Sequence, residues 1–138
     1  HEGVSVKHDV SVPLSSVPGL IAEAGAAVRD LVPGVRLVAY GHIGDGNLHF
    51  NLSPPVGADE QEFLAQAGAV HEAVYQIVSA RGGSIAAEHG VGRLKRDALS
   101  RFRSGAEYDL MVRLKQSLDP QGIMNPGKVI QIDDAGSA

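Results

Sequence analysis

Tyr40-Gly41-His42-Ile43-Gly44-Asp45-Gly46-Asn47-Leu48-His49-Phe50-Asn51 carries two histidines and two amide side chains at spacings that can do chemistry. Asp45-Gly46 sits between alternating apolar runs, the pattern of a two-residue hairpin loop. Such a loop predicts Gly44 opposite Asn47, Ile43 opposite Leu48 and His42 opposite His49. Opposed residues on one face have Cβ atoms about 4.5–5.5 Å apart, close enough for two imidazoles to converge on one ion. Strand periodicity places Val35, Leu37, Ala39, Gly41, Ile43, Leu48, Phe50 and Leu52 on a core face, and Tyr40, His42, His49 and Asn51 on the other.

Two histidines need a third donor. Ser84-Ile85-Ala86-Ala87-Glu88 reads as a short strand with Ser84, Ala86 and Glu88 on one face, so Glu88 completes a two-histidine, one-carboxylate set with positions left open. His89 follows at the rim, where a neutral imidazole can act as a general base near neutral pH. Cysteine is absent, so any metal must be held by imidazole and carboxylate. Gly90-Val91-Gly92 is weak as a phosphate loop, and Arg93, Lys95 and Arg96 read as a solvated helix start.

The elements that must position these groups follow from the pattern. Val4 to Val12 alternates strictly, with Val4, Val6, His8, Val10 and Val12 inward and Ser5, Lys7, Asp9 and Ser11 outward, and Pro13 ends the run. His8 among valines reads as a packed core histidine, and Lys7 as an exposed lysine that can meet a substrate. A helix is predicted from Ser15 or Ser16 through Leu31, stopped by Pro33-Gly34. A second long helix is predicted from about Asp59 to Gly82-Gly83, with Phe63, Ala67, Val70, Val74 and Ile77 as its buried stripe and His71 at the margin. The predicted fold is therefore α+β, a ferredoxin-like βαββαβ antiparallel sheet with two helices on one face and the other face open. A C-terminal helix bearing Leu110, Met111, Leu114 and Leu118 extends it, ending at Asp119-Pro120 before an irregular tail.

The bulk numbers narrow the function classes. A chain of 138 residues with 43% hydrophobic content supports a single real core. A net charge of −4 carries no basic field for nucleic acid. The same element order serves RNA-binding modules, but those stack bases on exposed aromatics, and here Phe50 points coreward. No apolar run reaches the ~20 residues of a membrane span, so a soluble, cytoplasmic protein is expected. The chain opens on His1 rather than Met, which points to a piece of a longer protein.

Gly41 to Asn51, Glu88-His89-Gly90-Val91-Gly92, Lys7-His8-Asp9-Val10-Ser11-Val12-Pro13 and the ending Leu118 to Lys128 together resemble the C-terminal domains of FAD-linked oxidases of the vanillyl-alcohol-oxidase type. Within that family the match is nearest to the D-2-hydroxyglutarate and D-lactate dehydrogenase-like flavoproteins. The resemblance implies oxidation of a small D-2-hydroxy acid, D-2-hydroxyglutarate foremost, to a 2-oxo acid with hydride passing to FAD. The flavin would be held mainly by a separate N-terminal domain, the partner of this chain, and a homodimer is compatible with the family.

It also implies roles: His42, His49 and Glu88 as ligands of a divalent ion such as zinc, His89 as base, Lys7 and Asn51 as substrate contacts, and Asn125 on the flavin side. His8 stands where relatives carry tyrosine. Residues 1–103 would then form the substrate and metal domain, and residues 104–138 a helix and tail packing back on the FAD-binding domain. Two readings compete: a free-standing ferredoxin-like module that binds a metal or a small acid, and a hydrolytic metal site.

Overall fold

A computed structural model describes residues 3–130. The chain falls into two compact units, His1–His89 and Gly90–Ala138. The first is an antiparallel sheet in the order β1-β3-β2, built from β1 (Val6–Ser11), β2 (Arg36–Tyr40) and β3 (Asn47–Ser53). Two helices, α1 (Val17–Leu31) and α3 (Ala67–Ala80), pack on each other, and α3 meets β1. A short α2 (Glu60–Ala65) precedes α3. The fold is α+β, as the sequence pattern predicts.

Alternation decides what each face does. Val6, His8 and Val10 of β1 and Leu48, Phe50 and Leu52 of β3 are all buried beneath the helices, with Phe50 and both leucines fully so. Removing a phenylalanine ring from such a site costs about 3–5 kcal/mol. Between them, Lys7, His49 and Asn51 face the opposite side. The core histidine is held by hydrogen bonds: its Nδ1 lies 2.9 Å from the Phe50 carbonyl and its Nε2 2.9 Å from Nδ1 of His71. A carbonyl only accepts, so His8 donates from Nδ1 and, in that tautomer, its Nε2 accepts the hydrogen bond from His71 Nδ1–H.

Several expectations need correction. The hairpin does not close through a two-residue Asp45-Gly46 loop. Tyr40, not His42, pairs with His49, and Ala39 pairs with Phe50. The connection is a 3-10 turn over Ile43–Asp45 ended by Gly46 in the left-handed conformation at φ 74°. The His42 carbonyl accepts from the N–H groups of both Asp45 (2.9 Å) and Asn47 (3.2 Å), which closes this larger loop in place of a primed turn. The Gly46 carbonyl in turn accepts the Val12 N–H at 3.1 Å, tying the loop to the end of β1. The register moves by two residues, so side chains keep their faces, but His42 leaves the ladder and Ile43 becomes exposed.

The strand expected at Ser84–Glu88 is a single antiparallel bridge, Ser11 to Ser84, after which the chain curls away. It sits beside β1, where the fourth strand of a βαββαβ sheet belongs. The long helix expected from Asp59 is two helices joined at Gln66. Asp59 caps the first through its carboxylate, which accepts from the N–H groups of Gln61 (2.8 Å) and Glu62 (2.9 Å).

In the second unit, α4 (Arg96–Phe102) follows the helix start expected at Arg93 to Arg96, and α5 (Ala106–Leu118) forms where the C-terminal helix was expected. Buried Asp119 ends α5 and organises the turn beyond it. Its carboxylate takes Lys115 Nζ at 2.5 Å and the N–H groups of Ile123 (3.0 Å) and Met124 (2.9 Å). The lysine and these amides hold the Asp119 carboxyl below the usual carboxylate range against the opposing effect of burial. Among the described residues no helix is long and apolar enough to cross a membrane.

The loop geometry gives a paired prediction. A Cβ on Gly46 would overlap the Val12 carbonyl oxygen in a left-handed backbone, whereas one on Gly44 meets nothing within 4 Å. Gly46→Ala is expected to lose about 2 kcal/mol or more, since the left-handed conformation alone costs roughly 1–2 kcal/mol. Gly44→Ala should stay within about 0.5 kcal/mol. Urea unfolding midpoints of the two variants check both.

Candidate functional site

β3 supplies the middle of the site. Asn47, His49 and Asn51 project from alternate positions to the face away from the helices, each only partly exposed. β1 lies on one side of it, with Asp9 directly opposite His49 and Lys7 opposite Asn51. β2 lies on the other, with Tyr40 opposite His49. Asn51 Nδ2 donates to the Tyr40 hydroxyl at 3.3 Å, and the Tyr40 and His49 rings lie 5.1 Å apart.

Two loops bring in the remaining groups. The 3-10 turn after β2 presents His42, and the curl after Ser84 presents Glu88 and His89. His42 Nδ1 lies 2.5 Å from Glu88 Oε1, while His49 Nε2 lies 3.8 Å from Glu88 Oε2. Asn47 Nδ2 also donates to Glu88 Oε1 at 3.1 Å. The structure thus joins His42, His49 and Glu88 around one carboxylate, although His42 reaches it from a loop and not from the strand position expected.

His89 stacks against His49, with ring centroids 5.3 Å apart and planes inclined by 18°. Its side chain is 69% exposed, open to a substrate on this face. Lys7 and Asn51 line a recess of about 350 Å³ together with Ser5, Val38 and Ser53. This recess lies beside the histidines, because Asn51 and His49 are two residues apart on one strand face. Asn125 belongs to the second unit, where it adopts a left-handed backbone at φ 49° and borders a cavity of about 650 Å³ with Met111, Leu114 and Met124.

The electrostatics follow from the short contact. The hydrogen bond to Glu88, and then its charge, raise the His42 imidazole above its ordinary 6.5. His42 and then Asn47 hold Glu88 below its ordinary 4.5, with the positive character of His49 adding to this. Imidazole and carboxylate are donor types that a divalent ion can use. Among the described residues, the group whose ligand atoms all lie within 4.8 Å of one another is Asp9, His49 and His89, which differs from the expected His42, His49 and Glu88 set in two of its three members.

With this geometry in hand, similarity to known proteins can be placed. A sequence profile described as "FAD linked oxidases, C-terminal domain" matches residues 1–129. The chain belongs to this family. This FAD-linked oxidase C-terminal domain is 46% identical over 123 residues to the D-2-hydroxyglutarate dehydrogenase of Stutzerimonas stutzeri (strain A1501), covering 89% of the chain and 26% of that protein. It is 41% identical over 129 residues to the enzyme of that name from Xanthomonas citri pv. viticola, covering 94% and 27%. To the mitochondrial enzyme of that name from Danio rerio it is 37% identical over 130 residues, covering 94% and 23%. The domain therefore spans about a quarter of the length of the curated relatives it matches.

Sequence reasoning gave Asp9 and Asn47 no role in this domain. Asp9 had a weak signal: an acidic residue in a valine-rich strand is disfavoured, though it falls on the polar face of the alternation. Asn47 had none, because its contact depends on the curl that replaces the expected last strand.

The His42–Glu88 pair makes a prediction for the metal-free protein. His42 is raised in the fold, so its contribution to stability is full below pH 6.5 and is lost as pH rises through the raised value. Glu88 is lowered, so its contribution is present above pH 4.5 and is lost as pH falls through the lowered value. The pair is therefore fully formed between those two ordinary values. In an NMR titration, Glu88→Gln should bring the His42 midpoint down toward 6.5.

Proposed function

We propose that this chain forms the substrate- and metal-binding half of the active site of an FAD-dependent D-2-hydroxy-acid dehydrogenase, with D-2-hydroxyglutarate as the leading substrate. The observation that carries this reading is the meeting of His42, His49 and Glu88 beside His89, next to the recess holding Lys7 and Asn51. The relatives named D-2-hydroxyglutarate dehydrogenase support the substrate class. Their greater length supports a separate N-terminal FAD-binding domain as the partner. Residues 104–138 would pack against that domain, with Asn125 toward the flavin.

His42, His49 and Glu88 would hold a divalent ion, zinc being suited to the donors. When bound, the ion would supply Lewis-acid polarisation of the substrate hydroxyl, and FAD would supply a hydride acceptor. The chain's own residues do the rest. Lys7, as a point charge on a flexible stem, draws a substrate carboxylate into the recess. Asn51, fixed by its hydrogen bond to Tyr40, orients the substrate beside it. His89, exposed at the rim, takes the hydroxyl proton as Cα–H is broken. A 2-oxo acid leaves.

The test uses the protein at its encoded length. Elemental analysis and calorimetry should find about one divalent ion per chain, lost in the His42→Ala, His49→Ala double variant. His89→Ala should lower kcat by about 10²–10⁴-fold with the ion retained. Lys7→Ala should act mainly on KM. Hydrolysis of esters with no oxidation of 2-hydroxy acids would overturn the proposal.

A further inference from the structure

Asp9 is one of three buried polar or charged residues among those described, at 4% exposure, and no catalytic step above uses it. Its Oδ2 accepts three consecutive backbone N–H groups: Ala87 at 3.2 Å, Glu88 at 3.0 Å and His89 at 2.8 Å. Successive amides that converge in this way form a small anion-binding concavity. Here the anion belongs to the protein. Its other oxygen, Oδ1, faces His49 Nδ1 at 3.7 Å, while the far nitrogen of that ring faces Glu88.

The chain needs such a group at this point. After the Ser11–Ser84 bridge the backbone keeps one bond to β1, from the Ala87 N–H to the Asp9 carbonyl at 3.3 Å, and it must turn Glu88 toward His42 and Asn47 while setting His89 against His49. That curl aims three part-buried N–H groups at Asp9: Ala87 shares its N–H between the Asp9 carbonyl and carboxylate, while Glu88 and His89 have the carboxylate as acceptor. A carboxylate satisfies all three with charge-assisted bonds. Because Asp9 is the ladder partner of His49, the group that pins the curl also stands behind the histidine.

We infer that Asp9 is a positioning residue that locks the Glu88-His89 segment against His49 and so sets the spacing between metal ligands and base. The inference rests on the metal reading above for its functional consequence, though not for its geometry. It also sorts the two trios. With Oδ2 taking three amides and Oδ1 toward His49 Nδ1, Asp9 is assigned a place behind His49, as carboxylates commonly take behind metal-bound imidazoles, and Asp9 as a direct ligand is the outcome that the cobalt spectrum separates from it.

Three measurements on the full-length protein test this. In the metal-free wild type, the Ala87, Glu88 and His89 amides should be protected from hydrogen exchange although they lie in a loop. In Asp9→Asn the Glu88 and His89 amides should exchange about tenfold faster or more, and Ala87 less so because its N–H also bonds the Asp9 carbonyl, while the Val10 and Phe50 ladder amides keep their rates. Metal affinity should fall about 10–100-fold, with the visible bands of the cobalt-substituted protein unchanged in energy because the ligand set is the same.

Wild-type amides exchanging at unstructured rates would overturn the inference even if Asp9→Asn failed to fold. Unchanged affinity and exchange in the variant would overturn it as well, and so would a cobalt spectrum of different coordination, which would make Asp9 a ligand. If the wild type takes up no divalent ion, the metal reading fails separately, and Asp9 is judged on the exchange rates.

Discussion

The central strand β3 is the constraint on which the first unit depends. It pairs on both edges, with β1 through six residue pairs and β2 through five, and its strict alternation assigns every second side chain to the core. Leu48, Phe50 and Leu52 anchor the helices, so Asn47, His49 and Asn51 have only the open face. Neither set can move without the other. The candidate site is thus mounted on the one strand of the sheet that pairs on both edges, while the loops on either side contribute His42, Glu88 and His89.

What could be read from the sequence follows the same division. Parity is a local property, so the core and open faces, the buried His8 and the placement of Lys7, His49 and Asn51 were all legible from alternation alone. Register is not local. Asp45-Gly46 has the chemistry of a tight hairpin turn, yet the backbone forms a wider loop whose Gly46 carbonyl is taken by Val12, a residue more than thirty positions earlier. The histidines and Glu88 still meet, because the two-residue shift kept parity and the 3-10 turn carried His42 back toward the site.

Glu88 was found for an incomplete reason. Its segment was read as a strand, whose alternation would put Glu88 on the open face. The residue arrives instead through a curl held by a side chain from β1. Nothing in Ser84-Ile85-Ala86-Ala87-Glu88 distinguishes the two, since the deciding interaction comes from Asp9, far away in sequence. Buried Asp119 does similar work in the second unit, collecting the amides of Ile123 and Met124 ahead of Asn125. In both places an irregular segment that carries a candidate functional residue is fixed by one carboxylate.

The shift of His42 from ladder to loop has a consequence for how this site can diverge. A residue inserted or deleted within β3 would invert both faces at once and destroy core and site together. The residues from Gly41 to Asp45 lie outside the pleat, while Gly46 holds their end to Val12. A change there alters where one imidazole stands while His49 and the hydrophobic face stay fixed. The architecture thus lets the place of one imidazole vary in a short loop without disturbing the strand that carries His49.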